Sequence, residues 1–137
     1  TGDVRWIDDT LATTGESVVA ALRSMRPDDR VALIVGGMDR QLDYDQIDDY
    51  LLSGARDVHL IQGPTNGTVI GRRFAAAKPA CVHPVDSLQA AVQVAAAVPG
   101  VTAVLLSPGA ASYDLYANYV AKAAAFCELI DAVSPSN

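Results

Sequence analysis

The chain has 137 residues, enough for one domain with its own core. Half of them are hydrophobic and 19% are charged, which excludes a disordered chain, and no apolar run reaches the roughly 18 residues of a membrane-spanning helix. A net charge of −6 argues against a nucleic acid or an anionic membrane as partner, because both attract basic surfaces, yet it leaves room for basic groups at a local anion site.

In chain order, Val4-Arg5-Trp6-Ile7 reads as a short strand and Asp8–Thr14 as a small polar loop. Glu16–Met25 follows as a helix, with Val18, Val19, Ala21, Leu22 and Met25 at helical spacing, and Pro27-Asp28-Asp29 breaks it. Val31–Val35 is a continuous apolar run, the mark of a strand buried on both faces, and Gly36-Gly37 ends it. Tyr44–Leu52 is the next helix, with Ile47, Tyr50 and Leu51 inward and Gly54 suited to its C-terminal cap. Val58–Ile61 is a strand, Val69–Ala77 a weaker helix and Cys81–His83 a short strand. Ser87–Val98 is helically patterned, with Asp86 or Ser87 able to cap it. Val101–Leu106 is another buried strand and Asp114–Ala132 the last helix.

Strands apolar on both faces that alternate with helices imply an α/β domain: a Rossmann-like three-layer αβα arrangement with a mostly parallel sheet. Residues 1–137 then form one domain. Right-handed crossovers put every strand-to-helix loop at the carboxyl edge of the sheet, where open α/β sheets bind ligands. Three loops are thereby singled out: Asp8–Thr14, Gly36–Asp43 and Ser107–Tyr113.

Each loop has two readings on its own residues. Asp8 and Asp9 can accept from ribose hydroxyls or stand near a metal, or Asp9 or Thr13 simply caps the helix that follows. Gly36-Gly37-Met38-Asp39-Arg40 lets backbone approach an anion and offers Arg40 as a fork for a carboxylate or phosphate; otherwise it is a tight turn with an exposed Asp39–Arg40 pair. Ser107–Ser112 is either a binding loop or plain turn and cap chemistry. There is no Walker A P-loop, no GxGxxG and no nucleophile–base set. His59 and His83 read as packing residues, since no second His, Cys or acid stands at metal spacing of either. Arg72, Arg73 and Lys78 read as a solvated helix face. Cys81 and Cys127 lack any CxxC or disulfide framework, so reduced thiols in a cytosolic protein are expected, with Cys127 in the core stripe of the last helix.

Taken together, Trp6-Ile7-Asp8-Asp9-Thr10-Leu11-Ala12-Thr13-Thr14, then Gly36-Gly37-Met38-Asp39-Arg40 with Asp43-Tyr44, then Leu106-Ser107-Pro108-Gly109-Ala110-Ala111-Ser112-Tyr113-Asp114 resemble the C-terminal domain of a Mur ligase. The resemblance covers nearly the whole chain and runs to the branch that adds glutamate to UDP-N-acetylmuramoyl-L-alanine in peptidoglycan precursor synthesis. It implies an ATP-dependent ligase of three domains acting through an acyl phosphate. The missing N-terminal domain would bind the UDP-sugar. The missing central domain would carry the P-loop and the Mg2+ ligands, so that this domain alone is inactive and holds no catalytic residue and no metal. Carried over by the resemblance, Asp9 matches an acid that contacts the nucleotide ribose, and Thr13, Arg40, Ser112, Tyr113 and Tyr119 match the amino-acid pocket. The implied protein is bacterial, cytoplasmic and monomeric, and Thr1 in place of Met fits a fragment or a processed product.

Two departures stand out. Leu11 occupies the place where the D-glutamate enzymes usually have a lysine, and Asp39-Arg40 replaces a Gly-Lys. This combination resembles a variant branch that adds L-glutamate. Two other readings are compatible with the residues: a folylpolyglutamate-synthase-like ligase for another amino acid, and a non-catalytic nucleotide- or metabolite-binding module.

Overall fold

The computed structural model describes residues 4–9, 12–37, 43–63, 66–109 and 119–133. Its elements are β1 (Arg5–Asp8), α1 (Gly15–Arg23), β2 (Arg30–Val35), α2 (Asp45–Leu52), β3 (Asp57–Gln62), α3 (Arg72–Ala77), a 3-10 turn (Pro79–Cys81), β4 (Val82–Pro84), α4 (Leu88–Ala97), β5 (Ala103–Leu106) and α5 (Tyr119–Val133). The five strands pair in the order β1-β5-β2-β3-β4, and every pairing is parallel.

Val31–Val35 and Ala103–Leu106 are buried along their whole length because both faces of the sheet are covered. On one face Val18, Leu22, Ile47, Leu51 and Phe74 of α1–α3 meet Val31, Leu33, Leu60 and Leu105. On the other, Leu88, Ala91 and Val92 of α4 and Phe126 of α5 meet Ala32, Ile34, Ile61, Val104 and Leu106. Trp6 of β1 meets the Phe126 ring edge-on at 6.2 Å.

The chain steps outward from β2 to β4, then α4 returns it on the opposite face and inserts β5 between β1 and β2. The helices that leave β1 and β2 therefore cover one face, and the helix that leaves β5 covers the other. A crevice opens at such a reversal, at the carboxyl ends of the strands. Asp8, Leu106 and Ile34 are register partners across β1, β5 and β2, so the three loops leave the sheet at one level.

Several sequence expectations shift. The cap of α1 is Thr14, whose side chain accepts from the Ser17 amide, and not Asp9 or Thr13. Ser87 caps α4 through the Ala90 amide. The helix expected from Val69 begins only at Arg72, because Gly71 takes φ +78°. Asp48, buried on α2, then accepts from the Phe74 amide and satisfies the start of α3 from across the layer. Arg73 is not merely a solvated face: it bonds Asp49 at 2.7 Å and lies near Asp45 and Asp48, fastening α3 to α2. Cys127 is exposed rather than in the core. The inward stripe of α5 runs instead through Lys122 and Phe126, four residues apart, and on to Leu129, Ile130 and Val133.

Candidate functional site

The carboxyl edge of β1, β5 and β2 is joined mainly by backbone. The Asp9 amide donates to the Leu106 carbonyl at 2.8 Å and the Ser107 amide to the Ile34 carbonyl at 3.2 Å, which extends the sheet past its last paired residues. The Gly36 amide donates to the Pro108 carbonyl at 2.9 Å, and the Gly109 amide to the Ala12 carbonyl at 2.8 Å. Each of the three loops is thus bonded to at least one other. Gly109 takes φ +71°, and a Cβ there would lie 3.3 Å from Val18 Cγ2. The absence of a side chain lets the third loop settle onto α1.

Side chains complete the frame. The Ser107 hydroxyl, fully buried, donates to Asp9 Oδ2 at 2.9 Å. Lys122 reaches from α5 to donate to the Gly36 carbonyl at 2.8 Å, and its side chain is buried there. Asn66, in the loop after β3, accepts from the Gly37 amide at 2.8 Å and donates to the Tyr44 hydroxyl at 3.1 Å. That loop is itself tight: a Cβ on Gly67 would overlap the Gly63 carbonyl oxygen. Beside Asp8 and Asp9, an open groove of about 680 Å³ runs between β1 and α1, floored by Ile7, Ala12, Ala21, Met25 and Leu105, with Arg5 and Arg26 at its other end.

Of the residues singled out in the sequence, Asp9 lies at this edge, half-buried and bonded to Ser107. Thr13 is exposed just before the cap of α1. Tyr119 is the first described residue of α5. Arg40, Ser112 and Tyr113 lie outside the described residues, as do Leu11 and Asp39. Among the described residues no three His, Cys, Asp or Glu side chains converge as a metal site, and no helix is long and apolar enough to cross a membrane.

Sequence reasoning missed Lys122 and Asn66 as parts of the edge, named Tyr44 only within the second motif, and did not pair Ser107 with Asp9. A charge inside an apolar helix and an amide inside a tight turn were the available signals. Lys122 stands among alanines of α5 and Asn66 within Gly63–Gly67, and a buried polar group requires a partner. His59 and His83, read as packing residues with no second His beside either, in fact stack on each other across β3 and β4, with His59 Nδ1 3.2 Å from His83 Nε2. Burial, reinforced by the neighbouring His59, lowers the His83 pKa from its ordinary value.

No family model matches the chain. Among curated proteins, it is 35% identical over 132 residues to the UDP-N-acetylmuramoylalanine–D-glutamate ligase of Roseiflexus sp.. It is 32% identical over 131 residues to the UDP-N-acetylmuramoyl-L-alanine–L-glutamate ligase of Xanthomonas campestris pv. campestris, and 34% identical over 128 residues to the L-glutamate ligase of Micromonospora sp.. These alignments take in 93%, 92% and 91% of this chain, which spans only 28%, 28% and 27% of those proteins. The chain is a relative of the UDP-N-acetylmuramoylalanine–glutamate ligases of the Mur family, matching a stretch of each that is consistent in size with a C-terminal domain.

Proposed function

We propose that residues 1–137 are the C-terminal, amino-acid-binding domain of a larger three-domain ligase. That ligase adds glutamate, L in preference to D, to UDP-N-acetylmuramoyl-L-alanine in peptidoglycan precursor synthesis. The observation that carries the reading is the joined carboxyl edge: the three loops that bear the motifs leave adjacent strands at one level and are bonded to one another at the reversal of the sheet. Similarity to glutamate-adding ligases over about nine-tenths of the chain supports the reaction class.

In this reading the substrate carboxylate attacks the γ-phosphorus of ATP and ADP leaves. The glutamate amine then attacks the acyl carbon, loses a proton, and phosphate leaves as the amide forms. Asp9 accepts from a ribose hydroxyl. Thr13, Arg40, Ser112, Tyr113 and Tyr119 hold the incoming glutamate, with Arg40 forking one carboxylate. Mg2+ belongs to the central domain, and the isolated chain turns over no ATP. The protein acts in the cytoplasm as a monomer.

The L-preference rests on Leu11 and Asp39-Arg40. Enantiomers carry identical charges, so a pocket separates them by where its donors stand. Leu11 leaves the first loop without its cation, while Arg40 keeps the charge of the second as a guanidinium fork in place of an ammonium, so the counter-charge that remains stands on one wall only. The test is ligation of UDP-N-acetylmuramoyl-L-alanine by the full-length protein with each enantiomer separately, compared as kcat/KM. A higher value for L-glutamate is expected, and product from D-glutamate alone would refute the preference.

A further inference from the structure

Ser107 and Asp9 lie 98 residues apart and meet only because β5 is inserted beside β1. The backbone on both sides of their contact is fixed. Asp9 is held by its amide on Leu106, and Ser107 by its amide on Ile34 of β2. The Ser107 hydroxyl is thereby aimed by two neighbouring strands. It is fully buried, so it needs a partner inside the protein, and the carboxylate it reaches at 2.9 Å is a stronger acceptor than a neutral oxygen. Asp9 is only half-buried and lines the open groove, so it is bonded to the frame and still reachable from outside.

We infer that Ser107 is a positioning residue for nucleotide binding: its hydroxyl holds the Asp9 carboxylate in the orientation that meets a ribose hydroxyl. This rests on the reading of Asp9 as the ribose acceptor. A hydroxyl that only satisfied itself would act on stability alone. A hydroxyl that orients Asp9 acts on ATP affinity and only through Asp9, and it leaves the affinity for glutamate untouched.

The experiment is steady-state kinetics of the full-length ligase with Ser107→Ala, Ser107→Cys, Asp9→Ala and the Ser107→Ala/Asp9→Ala double variant, each alongside a thermal melt. Asp9→Ala should raise the KM for ATP about ten- to a hundredfold, the loss of a charged hydrogen bond. Ser107→Ala should raise it roughly three- to tenfold, with kcat and the glutamate KM within about twofold. Ser107→Cys keeps the shape with a weaker donor and should fall between Ser107→Ala and the unaltered protein. The double variant should bind ATP no worse than Asp9→Ala alone, because nothing remains for Ser107 to orient. A raised KM in Asp9→Ala with an unchanged one in Ser107→Ala overturns the positioning role by itself, as do two effects that multiply in the double variant. An unchanged KM in Asp9→Ala overturns the reading of Asp9 and the role of Ser107 with it.

Discussion

At the amino edge of the sheet, Asp29 joins the beginnings of β1, β5 and β2. Its carboxylate accepts from both terminal nitrogens of Arg5 at 3.0 and 2.6 Å, from the Thr102 hydroxyl at 2.8 Å and from the Arg26 amide at 2.9 Å. The Arg5 guanidinium, aided by Thr102 and Arg26, holds the Asp29 carboxyl far below the usual carboxylate range. At the carboxyl edge the same three strands are joined mainly by peptide groups of Asp9, Ser107, Gly36 and Gly109, with side-chain bonds from Ser107, Lys122 and Asn66 added to them. The two ends serve different purposes. A buried carboxylate saturated by four donors is spent on the fold. An edge joined through the main chain and small residues leaves its geometry to the backbone and its chemistry to the side chains that line the crevice.

The largest expected effect is at the carboxyl edge. Asn66→Ala deprives the Gly37 amide of its acceptor and removes one bond to Tyr44, and should destabilise by roughly 2–4 kcal/mol, since a buried amide left unsatisfied costs about 1–3 kcal/mol and a lost hydrogen bond about 1 kcal/mol more. Urea denaturation measures it. Asn66→Asp keeps an acceptor for Gly37 and should cost less. A loss under half a kcal/mol in Asn66→Ala would mean that water replaces both bonds, and that this edge is not held as rigidly as the opposite one.

Asp29→Asn comes next. It removes the charge from a group with four donors and should cost about 1.5–3 kcal/mol. In the full-length protein, kcat and both KM values should be unchanged at a temperature where the variant is folded. A shift in either KM would break the division of labour between the edges. Gly109→Ala should follow at about 1–2 kcal/mol, because φ +71° is a left-handed conformation and the new Cβ crowds Val18. Calorimetry of the variant against the unaltered protein measures it.

The layers were legible because burial on both faces writes itself as apolar runs: Val31–Val35 falls inside β2, and Val101–Leu106, apolar except for Thr102, contains β5. The three edge loops were legible because a strand pattern must end before one can begin. What was hidden is pairing at long range. Nothing in the sequence says that β5 enters between β1 and β2, so neither the Ser107–Asp9 contact nor the Arg5–Asp29–Thr102 group could be read from it. Local ambiguity hid the rest. Thr13 and Thr14 carry the same hydroxyl, and only the backbone decides which one faces the Ser17 amide. Cys127 lies one residue from Phe126, and a turn of about 100° separates core from solvent.

The smallest expected effect separates the two ends of the sheet by pH. Asp29 and His83 both titrate lower in the folded protein than in the unfolded chain, for different reasons. In each case the unfolded state binds more protons between the two pKa values, so stability rises with pH across that interval. For Asp29 the contribution is complete above the unfolded carboxyl value of about 4 and is lost as pH falls below it. For His83 it is complete above about 6.5 and begins to be lost below that, well before any carboxylate protonates. His83 pairs with Ile61 near the carboxyl end of β3, so its window reports on that side of the sheet, while the Asp29 window reports on the amino edge. Stability measured from pH 8 to pH 3 should therefore fall in two stages. His83→Gln should remove the upper stage and leave the lower one, and Asp29→Asn should do the reverse, its curve converging on that of the unaltered protein as pH falls below about 4. A single transition that neither substitution alters would show that other groups govern the acid response and that the two edges are not energetically separable.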